Sequence, residues 1–163
     1  KGYKYFIKHT MRLKEPEADI RRSMDKIFSR SGEIFEELNS AMAKHLKLFS
    51  AIILENENRF FKHGLAEVLR APEFMEQGRA VNFVDLTERL RDALPGMFAG
   101  KNKNHDEPEF IIGEFGMAGM FFDDEDWGRF SIVSLGPKRM NYERVGSVLK
   151  YAKEDIKNKK KKK

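Results

Sequence analysis

Three regularly spaced glycines, at positions 113, 116 and 119, are the residues most suggestive of phosphate chemistry. A dinucleotide-binding loop needs glycines at a tight turn and a helix directly behind them, because the helix N-terminus holds the phosphate. Here the spacing is G-x-x-G-x-x-G, and no helix-like sequence follows. We therefore predict that these glycines belong to a β-hairpin rather than to a nucleotide site.

An acidic run at residues 123–126, followed by Gly128, has some of the character of a calcium-binding loop. Counted from Asp123, Gly128 stands at the sixth position, where such loops turn sharply. The fifth position, however, is Trp127, and the twelfth is Ser134, where a bidentate glutamate is required. The run is therefore predicted to be a solvated turn between two strands.

The sequence contains no other pattern typical of catalysis or metal binding. The four histidines, at positions 9, 45, 63 and 105, form no HxH or HxxxH pair, and there is no cysteine. No serine stands in a nucleophile elbow, and no two carboxylates are placed as acid and base. We predict that the chain is not an enzyme and that it binds no metal and no cofactor.

The positive charge of the chain is concentrated at its C-terminal end. Of the 31 lysine and arginine residues, six are Lys157 and the run from Lys159 to Lys163, and removing these six leaves 25 basic residues against 26 acidic ones. The remainder is therefore not a basic domain and does not by itself indicate nucleic-acid binding. Residues 157–163 are predicted to be a disordered lysine-rich tail, with nucleic-acid contact as the alternative.

Several features bear on the setting in which the chain acts. No apolar run approaches the length of about eighteen residues that a membrane-spanning helix needs, and no signal peptide is recognisable. The absence of cysteine fits a reducing compartment, and we expect a cytoplasmic protein. Because the sequence begins at Lys1 rather than at a methionine, we expect it to be a fragment of a longer chain.

Two helices are predicted in the first third of the chain. Their apolar residues recur at helical spacing: Ile20, Met24, Ile27 and Phe28, then Ile34, Phe35, Leu38, Met42, Leu46 and Phe49. Ser31-Gly32 lies between the two stripes, and because glycine is costly inside a helix, a joint is favoured over one long helix. The heptad-like spacing leaves two interpretations open, pairing between subunits or packing against the chain's own sheet.

Five strand-like segments follow these helices. Their ranges are 48–54, 60–61, 110–112, 117–122 and 130–135. Between the second and third, residues 65–69 are expected to form a helical turn, and Asn82 or Asp85 is expected to cap a helix that Pro95-Gly96 ends. These elements predict an α+β fold in which a small antiparallel sheet has helices on one side.

The segment from Phe130 to Tyr151 joins the last strand to the last helix. Gly136-Pro137 ends the strand, because proline lacks the backbone donor that the ladder needs. Asn141 is placed to cap the helix, and Arg139 and Tyr142 lie in the connection, where ordinary solvent-facing residues are expected. The predicted buried stripe of the helix consists of Val145, Val148, Leu149, Ala152 and Ile156.

The connection G-P-K-R-M-N-Y resembles the C-terminal signature of the heat-inducible transcription repressor family HrcA. The family pattern reads Gly-Pro-Thr-Arg-Met-Asp-Tyr, followed by a helix that bears a valine. The matching residues are Gly136, Pro137, Arg139, Met140, Tyr142 and Val145. Lys138 and Asn141 replace the threonine and the aspartate of the family.

Three other stretches resemble the same family, in the family's order. Gly2-Tyr3-Lys4-Tyr5-Phe6 is similar to the segment behind its DNA-binding winged helix, and Ile112-Gly113-Glu114 is similar to a later segment. Between them, the matching residues are Phe60, Phe61, Gly64, Leu65, Leu69, Pro72, Glu73 and Phe74. In one respect the chain departs from the family. Where family members carry further strands and an inserted dimerisation segment, this chain has only Glu55 to Arg59, which puts the family's mode of dimerisation in question.

The resemblance implies a domain organisation. Residues 1–47 would hold the end of the winged-helix wing and the connecting helices, residues 48–156 a GAF-like regulatory domain, and residues 157–163 the tail. The DNA-reading helix and most of the wing would lie upstream of this sequence. The residues expected nearest to the DNA, where they position the protein rather than read sequence, are Lys1, Gly2, Tyr3 and Lys4.

The resemblance also implies a function and partners. Family members are repressors of chaperone operons that bind inverted-repeat operator DNA as homodimers, and their activity depends on a GroEL-type chaperonin. Arg139 and Tyr142 are assigned to pinning the strand-to-helix connection, with a ligand or partner site as the alternative. Two other functions stay open for the chain, a GAF-like small-molecule sensor and a protein-interaction module without DNA binding.

Overall fold

The structure of the protein is a computed structural model that describes residues 13–29, 33–76, 78–97 and 106–161, with side chains through residue 158. The four residues predicted to lie nearest to DNA, Lys1, Gly2, Tyr3 and Lys4, fall outside the described residues. So does the Ser31-Gly32 joint between the first two helices.

The described strands form one antiparallel sheet of five strands. They are β1 (Phe49–Leu54), β2 (Arg59–His63), β3 (Glu109–Ile112), β4 (Phe115–Asp124) and β5 (Gly128–Pro137). The strand order across the sheet is β2-β1-β5-β4-β3. Each of the five predicted strand segments falls within one of these strands or overlaps it closely, so the predictions from apolar alternation are confirmed.

Six α-helices are described around the sheet. They are α1 (Ala18–Phe28), α2 (Ile34–Leu46), α3 (Leu65–Val68), α4 (Arg79–Glu88), α5 (Leu90–Met97) and α6 (Tyr142–Lys161). Two short 3₁₀ turns lie at Glu55–Glu57 and Pro72–Met75. The predicted fold class, α+β with helices leading into an antiparallel sheet, is confirmed.

Helices cover both faces of the sheet. On one face, Phe35 of α2 packs against Phe130 of β5, with ring centroids 5.2 Å apart. On the other, Phe83 of α4 packs against Phe49 of β1, at 6.4 Å. Phe130 pairs with Leu54, which lies five residues from Phe49, and side chains alternate along a strand, so the two contacts are on opposite faces. The prediction of helices on one side only is therefore wrong.

The two faces have different covers, and we name them by those covers. The helical face lies under α2 and α6, with α1 packed across both helices. The aromatic face lies under α4 and α5 and includes the side chains of Phe49 and Phe115. Every residue of β1 is buried, which requires cover on both sides and explains why β1 reads as a continuous apolar run.

The helix predicted after Asn82 differs in the structure. It begins earlier, at Arg79, after Gly78 adopts a positive φ of 88° that favours glycine. Neither Asn82 nor Asp85 caps it, because both lie inside the helix. The Asn82 amide instead donates to the Glu114 carboxylate, at 3.2 Å and 3.3 Å to the two oxygens, and Asp85 pairs with Arg89. The helical path breaks at Arg89, so that α4 and α5 are separate, and Pro95 lies inside α5 rather than behind it.

The last helix follows the prediction more closely. The Asn141 side-chain oxygen accepts a hydrogen bond from the backbone N–H of Arg144, at 3.0 Å, as expected of an N-cap. The predicted stripe from Val145 to Ile156 is buried. Beyond the stripe, the backbone stays helical through Lys161, where the sequence predicts disorder from Lys157 onward.

The buried residues of α1 and α2 share one core with those of the sheet and α6. The division of the chain at residues 47 and 48 stays a prediction. Among the described helices, none is both long and apolar enough to cross a membrane.

Candidate functional site at the strand-to-helix corner

Some of the residues that resemble the family meet at one corner of the fold. We call Gly136–Tyr142 the signature corner, since it joins β5 to α6. Gly64, at the end of β2, and the 3₁₀ turn Pro72–Met75 lie against it through the contacts described below. Stretches far apart in the sequence are thus brought together here.

Two of the signature glycines pack around Leu48, the residue before β1. Gly64 has a positive φ of 96°, and a Cβ placed there would overlap the backbone oxygen of Leu48 and crowd Ala43 of α2. A Cβ on Gly136 would overlap the Leu48 side chain. Glycine is therefore required at Gly64 for both close approach and backbone conformation, whereas a side chain at Gly136 would force the Leu48 side chain to move.

Tyr142 is buried, with 3 % of its surface exposed, rather than facing solvent as expected for a connection. Its hydroxyl donates a 2.6 Å hydrogen bond to the backbone oxygen of Lys138, which closes the turn. The same hydroxyl lies so close to Gly116 on β4 that a Cβ there would overlap it. These contacts support the assignment of Tyr142 to pinning the connection.

Arg139 links two stretches of the signature that are 66 residues apart. Its Nη2 donates to Oε1 of Glu73 at 3.0 Å, and its Nε lies 2.5 Å from Oε2. Burial acts to raise the pKa of Glu73. The hydrogen bond from Arg139, a backbone hydrogen bond and the positive charges of Arg139 and Arg79 outweigh this effect and hold the pKa below its usual range.

Phe74, the residue after Glu73, lies on the other side of the 3₁₀ turn from the ion pair's solvent-exposed arginine and packs into the core. Phe74 is buried on the aromatic face, where its ring lies 4.9 Å from Phe83 and 5.8 Å from Phe115. Pro72 starts the 3₁₀ turn and stays exposed, whereas Pro137 and Met140 of the signature corner are buried. The Pro-Glu-Phe segment thus connects the signature corner, through Glu73, to the aromatic face, through Phe74.

Arg144 is a further residue of the site that the sequence did not single out. Its Nη2 donates to the backbone oxygen of His45 at 3.2 Å, near the C-terminus of α2. Its Nε lies 3.2 Å from Oε1 of Glu17, directly before α1. Arg144 therefore ties together the start of α1, the end of α2 and the start of α6.

A cleft of about 440 Å³ opens beside the corner. Four cationic side chains line it, those of Lys47, Arg70, Arg139 and Arg144, against the single carboxylate of Glu67. Its apolar lining consists of Leu46, Leu48, Val68, Ala71, Pro137, Met140 and Val145. Among the described residues, no group of acidic or histidine side chains is arranged to hold a metal ion. The charged side chains that line the cleft are thus mainly positive.

A family found by comparison with known proteins is the one that the residues of the signature corner resemble. The model of the family described as HrcA protein C terminal domain matches residues 8–145, a range that contains Gly64, the 3₁₀ turn and the whole signature corner. No solved structure was found to match the chain.

Proposed function

The chain belongs to the HrcA family of heat-shock transcription repressors, and from that premise we propose that it is the regulatory and dimerisation part of such a repressor. The family match over residues 8–145 carries the proposal. It is supported by the signature corner, where residues from three separate stretches form one packed structure. The family is one of repressors rather than of enzymes.

In this proposal, operator DNA is bound by a winged-helix module that precedes Lys1. Each module reads one half of an inverted repeat, and because the site is twofold, the repressor acts as a homodimer. The protein is positioned on the phosphate backbone by Lys1, Gly2, Tyr3 and Lys4. The proposed division of the chain is a connecting part at residues 1–47, a regulatory domain at 48–156 and a tail at 157–163. The repressor acts in the cytoplasm, where operator and chaperonin are found.

The proposed switch is dependence on a GroEL-type chaperonin. A regulatory domain of marginal stability spends time unfolded and competes with other clients for chaperonin capacity. Marginal stability is supported by neutral buried oxygen atoms that have no hydrogen-bond partner among the described residues, namely Oδ1 of Asn39, Oγ of Ser50 and Oγ of Ser134. Each of these atoms is hydrogen-bonded to water in the unfolded state and loses that bond on folding, which lowers the free energy of unfolding.

The test uses the repressor with its upstream module intact. We expect binding to an inverted-repeat operator as a dimer, with active protein recovered after heating only when chaperonin is present. Thermal unfolding well above about 70 °C, with refolding that needs no chaperonin, would contradict the proposed switch. Absence of operator binding by a folded dimer would contradict the repressor role itself.

A substitution tests the role assigned to the corner. Arg139→Ala should lower thermal stability slightly through loss of the Glu73 ion pair, with operator binding kept and recovery after heating still dependent on chaperonin. The matched control is Arg89→Ala, since Arg89 also pairs with a carboxylate, that of Asp85, at 2.7 Å but away from the corner. An Arg139→Ala protein of normal stability that ignores the chaperonin would make Arg139 a partner site instead.

A further inference from the structure

A second cleft, of about 450 Å³, lies on the aromatic face. It opens between α5 and the strands β4 and β5, away from the signature corner. The strands contribute Phe121, Arg129 and Ser131, and the α5 side contributes Arg91, Leu94 and Pro95. A volume of this size is in the range of small-molecule sites.

The two arginines of this cleft are farther from their carboxylate partners than the other paired cations are. Arg91 lies 3.7 Å from its closest carboxylate oxygen, on Glu55, and Arg129 lies 3.8 Å from Asp123. Both distances are too long for a hydrogen bond. In the other ion pairs described for the chain, nitrogen and oxygen are 3.3 Å apart or closer. The two loosely held guanidinium groups line the same cleft.

A guanidinium group has five N–H donors in a planar fork that matches a carboxylate. At Arg91 and Arg129 that fork is not used in a close ion pair, so it is available to a ligand. The remaining lining suits an apolar body, because Phe121 is half-buried and Leu94 is buried. The Ser131 hydroxyl on β5 adds one polar contact beside this apolar surface.

The acidic side chains of the cleft limit the charge of the ligand. Glu55 and Asp92 line it together with the two arginines, so the formal charges balance. A polyanion such as a nucleoside triphosphate would meet two carboxylates, whereas a single carboxylate adds only one charge. The charge pattern therefore favours a monoanion over a polyanion.

We propose that this cleft binds a small organic carboxylate with an aromatic or branched apolar body. The carboxylate is held by the guanidinium groups of Arg91 and Arg129, and the apolar body lies against Phe121 and Leu94. Binding of this kind would make the aromatic face responsive to a metabolite. The inference does not depend on the repressor function, because it concerns equilibrium binding to the chain itself.

The test is a titration of the purified chain with four probes, followed by protein-observed NMR. Phenylacetate and indole-3-acetate carry the proposed chemistry, indole-3-acetamide lacks the charge, and tryptamine carries the opposite charge. We expect saturable binding of both carboxylates, with shifts confined to β4, β5 and α5, and binding of the amide and the amine weaker by roughly tenfold or more.

Variants assign the binding to the two arginines. Arg91→Gln combined with Arg129→Gln should weaken carboxylate binding by roughly tenfold or more while leaving the thermal midpoint unchanged. Arg89→Gln is the matched control, since Arg89 follows α4 nearby but is already held by Asp85, and it should bind as the unaltered chain does. Equal affinity for the acid and its amide, equal affinity in the double variant, or no saturable binding of either carboxylate would overturn the proposal.

Discussion

The two faces of the sheet differ in how firmly their covering helices are held in place. The helical face is covered by two layers of helix, and polar contacts fasten those layers. The Tyr151 hydroxyl donates to Asp25 at 2.8 Å, and Lys153 pairs with Asp106 at 3.0 Å. These contacts join α6 to α1 and to the segment before β3, so the helices of this face are held at several points along their length.

The aromatic face has a thinner cover. Its helices are short, α5 contains Pro95, and few of their side chains are fully buried, chiefly Phe83, Leu90 and Leu94. Val81 of α4 and Met75 just before it are 70 % and 83 % exposed. Two clefts, of about 450 and 310 Å³, remain beside these helices. The comparison indicates that the helices of the helical face are held more firmly than those of the aromatic face, where we expect local opening first.

The strongest test of this difference is a pair of large-to-small substitutions. Phe130→Ala, on the helical face, should lower the free energy of unfolding by about 4 kcal/mol, because Phe122 and Phe35 cannot collapse into the space. Phe83→Ala, on the aromatic face, should cost about 3 kcal/mol, because short helices relax more easily. Chemical denaturation measures both values. Hydrogen exchange should speed up in α4 and α5 alone for Phe83→Ala, and equal losses with equal exchange patterns would remove the distinction.

Two glycines with positive φ, one at the signature corner and one before α4, allow the cost of an added side chain to be compared between the two regions. Gly64→Ala should destabilise by roughly 2–4 kcal/mol, since it combines backbone strain with overlap against Leu48. Gly78→Ala, before α4, should cost only about 1 kcal/mol, since φ is 88° but no atom lies near the added Cβ. Thermal unfolding of both variants provides the measurement. If Gly78→Ala were the more damaging, packing at the corner would not be the reason for Gly64.

Two serines of β5 provide the next contrast, because they point to opposite faces. Ser134 is fully buried on the helical face, and its hydroxyl has no partner among the described residues, so Ser134→Ala should stabilise by up to about 1–2 kcal/mol. Ser131 reaches the cleft on the aromatic face, so Ser131→Ala should change stability by less than about 0.5 kcal/mol. A destabilised Ser134→Ala protein would show that the hydroxyl is satisfied, and would weaken the account of marginal stability.

The smallest expected effect concerns the ion pair that connects the corner to the aromatic face. Because the pKa of Glu73 is lower folded than unfolded, its stabilising effect is complete above the unfolded-state pKa and is lost as pH falls through the folded-state value. Glu73→Gln should therefore cost under about 1 kcal/mol at neutral pH, since Arg139 is largely exposed, and nothing in strong acid. Denaturation at a series of pH values measures this difference. Arg139→Gln should reproduce the pattern, and a cost independent of pH would exclude the ion pair as its cause.

The sequence predicted those features that depend on local pattern. Alternating or continuous apolar runs located the five strands, and Asn141 together with the stripe from Val145 to Ile156 defined the start and buried side of α6. It could not predict contacts that exist only after folding. Nothing near Arg144 indicates that its partner is a backbone oxygen 99 residues away, and nothing in α4 indicates which face of the sheet Phe83 covers. The residues of the corner were recognised through their resemblance to a family, whereas their mutual contacts required the structure.

The contacts between α1 and α6 have a consequence for how the chain is connected to whatever adjoins it. Glu17 meets Arg144 and Asp25 meets Tyr151, so the two helices run in the same direction. The polypeptide therefore enters α1 near the end where α6 begins, while the backbone of α6 continues away from that end to Lys161. At about 1.5 Å per residue, the two ends of α6, Tyr142 and Lys161, are roughly 28 Å apart. The point where the chain enters α1 and the C-terminal end of α6 are thus separated by nearly the full length of α6.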